Sequence, residues 1–125
     1  IFSLIIKSNQ DNLLLIDPKS KNTGEEILVG ASSSKIITVE RGLTGEFQNY
    51  GEAIGYMRLN KKSLIKLFQL IEKKISAGSK NIGYEDVLNE FVKFTDIGFT
   101  SIEEKKWIEI DFQEDYEKAK ELIIN

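Results

Sequence analysis

Residues 51–78, GEAIGYMRLNKKSLIKLFQLIEKKISAG, contain the change of periodicity that decides the fold. Ala53 to Leu59 reads as a strand, and the following Asn60 has the side chain of a helix N-cap. Leu64, Leu67, Phe68, Ile71 and Ile75 then recur at offsets of 3, 4, 7 and 11. That spacing predicts one apolar helix face turned to the core, and Gly78 ends the helix as a C-terminal glycine. Upstream, Leu13-Leu14-Leu15-Ile16 reads as a buried strand stopped by Asp17-Pro18, and Lys19 to Glu26 as a polar loop. Ile27-Leu28-Val29 and Ile36-Ile37-Thr38-Val39 flank a Gly/Ser patch and predict a hairpin, and Arg41 to Gly51 reads as a structured loop. Downstream, Tyr84 to Val92 is a short helix with Val87, Leu88 and Phe91 inward. Phe94 to Phe99 and Trp107 to Ile110 are strand candidates around a turn at Glu103 to Lys106. Asp111 with Glu114 three residues on forms a capping-box pattern before a last helix presenting Tyr116, Ala119, Leu122 and Ile123. Strands and helices interleave. The expected architecture is a single α/β domain over 1–125, a mixed β-sheet packed by helices.

The chain has 125 residues, 41% hydrophobic and 30% charged, a globular balance. Its net charge of -3 does not suggest a nucleic-acid partner. No Cys and no His occur, which excludes thiolate zinc sites, cysteine nucleophiles, imidazole ligands and serine–histidine hydrolysis. Chemistry here rests on carboxylates, amines, hydroxyls and hard metal ions. No run approaches the ~18 apolar residues of a membrane span, and the N-terminus lacks the features of a signal peptide. A cytoplasmic setting without membrane contact is the expectation.

Three clusters stand out. In Trp107-Ile108-Glu109-Ile110-Asp111, strand geometry would aim Glu109 and Asp111 the same way, a pair suited to Mg²⁺. The alternative is that Asp111 caps the last helix and Glu109 is solvated. Tyr84-Glu85-Asp86 places two acids at a helix start, where they meet the helix dipole or, alternatively, wall a site for a cationic or hydroxyl-rich ligand. Tyr50, Tyr56 and Trp107 supply aromatic edges for such a site. In Gly51-Glu52-Ala53-Ile54-Gly55 the glycines permit a close approach or a bulge, Glu52 offers an acceptor for a ligand hydroxyl, and Arg41 a partner for phosphate. No Walker-type loop is present.

The order of these pieces resembles the C-terminal half of the sugar-phosphate and choline-phosphate nucleotidyltransferase family, with its glycosyltransferase-A-like fold. The resemblance covers nearly the whole chain, and its most specific element is Trp107-Ile108-Glu109-Ile110-Asp111 before an acidic helix start. It implies an enzyme that joins a nucleoside triphosphate to a phosphorylated alcohol or sugar with release of pyrophosphate, cytidylyl transfer favoured. It implies Mg²⁺ as cofactor, Asp111 as catalytic metal ligand and Glu109 beside it. It implies that Arg41, Glu52, Tyr84, Glu85, Asp86 and Trp107 face the acceptor. Arg41 stands where lysine is frequent, which keeps the charge and alters phosphate geometry. The family's N-terminal half, with its glycine-rich nucleotide loop, is expected upstream of Ile1. A non-catalytic binding or assembly module that keeps this half of the fold is the alternative. Assembly stays open, a homodimer included.

Overall fold

A computed structural model describes residues 1–103 and 107–124. The elements run α1 (Phe2–Lys7), β1 (Leu13–Asp17), β2 (Ile27–Ser32), β3 (Lys35–Arg41), β4 (Asn49–Arg58), α2 (Lys61–Ser76), α3 (Tyr84–Phe91), β5 (Gly98–Ser101) and α4 (Gln113–Ile124). The five strands form one mixed sheet in the order β3-β2-β4-β1-β5. β1 is parallel to β5, and β4 is antiparallel to both of its neighbours. Among the described residues no helix is long and apolar enough to cross a membrane.

β4 organises the sheet. Its first half pairs with β2 (Leu28 to Glu52, Ala31 to Asn49) and its second half with β1 (Asp17 to Glu52, Leu13 to Arg58). Both expectations for its glycines are met. A Cβ on Gly51 would lie 2.8 Å from the Asp17 carbonyl oxygen, so only glycine admits this strand approach. Gly55, at φ +79°, occupies the register shift opposite Leu14 and Ile16.

Side-chain alternation gives each sheet face its own core. Leu14, Ile16, Val29, Val39 and Ala53 meet Leu67 and Leu70 of α2 and Val87, Leu88 and Phe91 of α3. On the other face Leu13, Leu15, Ile54 and Ile102 are covered by Ile1, Leu4 and Ile5 of the α1 region and by Trp107.

The expected elements form, with corrections; the first is that the loop expected over Arg41–Gly51 gives Arg41 to β3 and its last three residues to β4. The hairpin turn is confined to Ser33-Ser34, because Gly30 and Ala31 continue β2. The face of α2 is rotated: Ser63, Leu67 and Leu70 are buried, whereas Phe68 and Ile75, expected inside, are 56% and 61% exposed. Polar anchoring sets that rotation. The Asn12 side-chain amide donates to Ser63 Oγ at 3.0 Å and its oxygen accepts from Asn60 N–H at 2.8 Å, which draws Ser63 inward. Asn60 still caps the helix, accepting from Ser63 N–H at 2.8 Å. The strand expected over Phe94–Phe99 begins only at Gly98, since the amides of Phe94 and Thr95 turn back to the Phe91 carbonyl. Trp107–Ile110 is not a strand. The turn expected at Glu103–Lys106 lies largely outside the described residues. At the last helix the reach-back carboxylate is Asp115, not Glu114: it accepts from Phe112 N–H at 3.1 Å and Asp111 N–H at 3.3 Å. Ala119 is buried there as expected, while Ile123 is 85% exposed.

Arg58, at the end of β4, donates to the carbonyls of Ile5, Ser8 and Gln10 and so ties α1 and the following loop to the sheet. Arg58→Met keeps the apolar stem and removes those donors. We expect a loss of about 2 kcal/mol, the scale of hydrogen bonds to a charged group, read as a lower urea midpoint at unchanged slope. A midpoint within error of the parent would refute the tie.

Candidate functional site

The 18–26 loop links the C-terminal end of β1 to the start of β2, two strands separated in the sheet by β4. This geometry gathers charge around Glu52, whose neighbours across the sheet are Asp17 and Leu28. Burial is the main force raising the Glu52 carboxyl above the usual range. Repulsion from Glu26, Glu109 and Asp17 adds to it, and a hydrogen bond with Ser20 opposes it. Glu26 is held the other way: Thr23 donates to it through its backbone N–H at 2.8 Å and its hydroxyl at 2.8 and 2.9 Å, which lowers its pKa.

A second group joins from the helical side. Arg41, ending β3, reaches the Glu25 carbonyl and lies 3.4 Å from Glu85 Oε1 and 3.9 Å from the Glu25 carboxylate. Glu85 and Tyr84 open α3. The Tyr84 phenol is raised chiefly by burial, then by Glu85 and Glu109, with Arg41 opposing and Glu52 adding. Asp86 accepts from Gly83 N–H at 3.1 Å and is exposed, so its observed contact is with the helix start.

The 107–111 segment completes the cluster. The Trp107 ring packs beneath β1, and its Nε1–H donates to Asp17 Oδ2 at 2.7 Å. Glu109 lies near enough to repel both Glu52 and a Tyr84 phenolate. Asp111 stands at the approach to α4, where its N–H meets Asp115 and its side chain is exposed. With no strand over 107–110, strand alternation does not align Glu109 with Asp111. Among the described residues no three Asp, Glu, His or Cys side chains form a group able to hold a metal ion. Glu109 and Asp111 share with Mg²⁺ only donor type: that ion takes one or two carboxylate oxygens and completes its shell with water and phosphate.

The structure thus brings Arg41, Glu52, Tyr84, Glu85, Trp107 and Glu109 into one electrostatic neighbourhood and leaves Asp86 and Asp111 at helix starts. Sequence reasoning missed Asp17, Ser20, Glu25 and Glu26. Asp17 does carry a signal in the sequence, a carboxylate closing an apolar strand. Beside this cluster is an open cavity of about 630 Å³ whose lining includes Asn22, Thr44, Glu46, Phe47 and Tyr50. Tyr50 lies two residues from Glu52 and so shares its sheet face. Phe47 packs against Gly30, where a Cβ would come within 2.6 Å of the ring. Carboxylates outnumber Arg41, and aromatic residues edge them. The arrangement can bind a cation or hydroxyl donors, with one guanidinium for an anion.

No family model matches the chain, and no match was found among curated proteins. Among solved structures it is similar to a protein of Bacillus anthracis described as a glucose-1-phosphate thymidylyltransferase, crystallised with sucrose. The TM-score is 0.68 at 13% identity, over 97% of this chain and 46% of that one. The chain therefore has a nucleotidyltransferase-like fold and spans less than half the length of that neighbour.

Because burial and like charges raise Glu52, the folded state holds its proton more tightly than the unfolded chain. The stability this gives is present below the unfolded carboxyl pKa, about 4.5, and is lost as pH rises through the raised folded value. Glu52→Gln should raise the melting midpoint at pH 7 by on the order of a degree or two and leave it unchanged near pH 4. Equal shifts at both pH values would contradict this electrostatic account.

Proposed function

We propose that the intact protein transfers a nucleotidyl group from a nucleoside triphosphate to a small phosphorylated acceptor, and that this chain supplies the acceptor side. The observation that carries the reading is the nucleotidyltransferase-like fold across nearly the whole chain, with charged and aromatic side chains collected at one place on its sheet. In the reaction an acceptor phosphate oxygen attacks the α-phosphorus, a new P–O bond forms, and the bond to the β-phosphate oxygen breaks to release pyrophosphate. Arg41 meets the acceptor phosphate by exchanging its carboxylate partners Glu25 and Glu85, at 3.9 and 3.4 Å, while its bond to the Glu25 carbonyl keeps the guanidinium in place. Asp111, with Glu109, would hold Mg²⁺, which when bound neutralises phosphate charge. Positioning is the chain's remaining contribution.

The acidic surroundings favour an acceptor with a cationic head group, hence an amino-alcohol phosphate over a hexose phosphate and cytidylyl over other transfer. Glu52, Glu85 and Glu109 complement the cation, and Tyr84 and Trp107 offer ring faces worth up to about 2 kcal/mol each when desolvated. Asp86, the next residue of α3, adds negative charge at the same helix start. A neutral sugar would use the same carboxylates as hydroxyl acceptors and gain less from their charge.

The test is transfer by the intact protein with Mg²⁺, each nucleoside triphosphate, and phosphocholine, phosphoethanolamine or hexose 1-phosphates as acceptor. We expect CTP with an amino-alcohol phosphate to turn over. Asp111→Asn should remove turnover and leave the unfolding midpoint unchanged, because the helix start is held by Asp115. Activity within a few-fold of the parent would rule out the metal-ligand role. Consumption of hexose 1-phosphates alone would rule out the cationic acceptor.

A further inference from the structure

We propose that Asp17 is a positioning residue: its carboxylate holds the Trp107 indole, and through it the segment bearing Glu109 and Asp111, at the C-terminal end of β1. Its consequence for catalysis rests on the nucleotidyl-transfer reading above. Residues 107–110 form neither helix nor strand, so no ladder sets their place. The Trp107 ring is packed against the core of Leu13, Leu15, Ile54 and Ile102, which keeps the ring on that sheet face. Apolar packing is non-directional and by itself leaves the indole some freedom of orientation about its side-chain torsions. The 2.7 Å bond from Nε1–H to Asp17 Oδ2, joining residues ninety positions apart, removes that freedom.

Asp17 is itself well fixed. Its other oxygen accepts from Lys19 N–H at 2.9 Å, and the following Pro18 favours the extended backbone that continues β1. Both carboxylate oxygens are thus engaged, one by the strand's own turn and one by the distant segment. A carboxylate acceptor makes the indole bond stronger than a neutral one would. The cross-strand partner of Asp17 is Glu52. The group that anchors the segment is therefore the immediate neighbour of the carboxylate at the centre of the candidate site, so displacement of Trp107 also changes the charge that Glu52 faces.

Two substitutions isolate the bond. Asp17→Asn leaves one acceptor oxygen for two donors, and Trp107→Phe keeps an aromatic ring without its N–H. Trp107 is the single tryptophan of the chain, so its emission reports directly on the contact. In the 125-residue chain we expect Asp17→Asn to shift that emission to the red and to increase its quenching by acrylamide. Backbone order parameters over 108–111 should fall toward the flexible range, below about 0.6, in either variant while those of β1 and β4 hold. The double variant should go no lower than either single one, the signature of a shared interaction. In the intact protein kcat should fall and the acceptor KM should rise, each about tenfold, in both single variants. Unaltered emission and order parameters overturn the proposal whether or not transfer is observed, as does a double variant whose effects simply add. An unchanged kcat together with an unchanged acceptor KM overturns the positioning role. If the intact protein transfers nothing, the transfer reading falls, and emission and order parameters still decide whether Asp17 holds the segment.

Discussion

The structure depends on the close pass of β1 against β4 at Gly51, where the Asp17 carbonyl leaves no room for a side chain. That contact lets β4 carry β2 on its first half and β1 on its second, with Glu52 as the residue common to both ladders. Once β1 ends and β2 begins around the same residue, the connecting loop must return across β4. It brings Ser20 and Glu26 with it. The carboxylate cluster is therefore a product of strand stagger. A sheet with the same strands in a different register would scatter Asp17, Glu26 and Glu52 along its length.

Polar contacts, more than apolar ones, choose among packings of similar hydrophobic value. The stripe Leu64, Phe68, Ile75 is as apolar as the face that α2 actually buries, to which Ile71 belongs. Asn12 decides between them by bonding Ser63 and the Asn60 amide, which a helix turned the other way would leave unpaired. Arg58 does the same for α1. A short helix without a side-chain N-cap gains a fixed place because one guanidinium satisfies carbonyls at its end and beyond. At the hairpin tip, Ile36 N–H donates to the Ile97 carbonyl at 2.9 Å, so the β3 edge is also held to the chain entering β5.

The same pairing logic governs the candidate site, with the opposite sign. Glu26 is stabilised as an anion by Thr23, whereas Glu52 is left in a half-buried place where charge is costly. A cation or a row of hydroxyl donors arriving there relieves repulsion among Glu52, Glu109 and Asp17. Binding free energy from that relief is available to a positively charged ligand and not to a purely anionic one. Arg41, already shared between Glu25 and Glu85, supplies the complementary charge at the other side of the cluster.

Local chemistry in the sequence determined the elements with strong caps and regular spacing. Asn60 and Gly78 bounded α2, Val87, Leu88 and Phe91 lined the inner side of α3, and the Leu13–Ile16 run ended at Asp17-Pro18. Those features act over a few residues, so composition and spacing reveal them. Arg41, Glu52, Tyr84, Glu85, Trp107 and Glu109 stood out in the sequence only as candidates, from their types and their surroundings in the chain. Which of them meet was decided by tertiary structure alone, through contacts spanning tens of residues: Asp17 with Trp107, Arg41 with Glu85, Asn12 with Ser63. Trp107–Ile110 shows the limit most plainly. Its alternation of apolar and polar residues satisfies a strand pattern, yet a strand also needs a neighbour with free backbone groups. Here the indole's place on the core and its bond to Asp17 hold the segment outside the sheet.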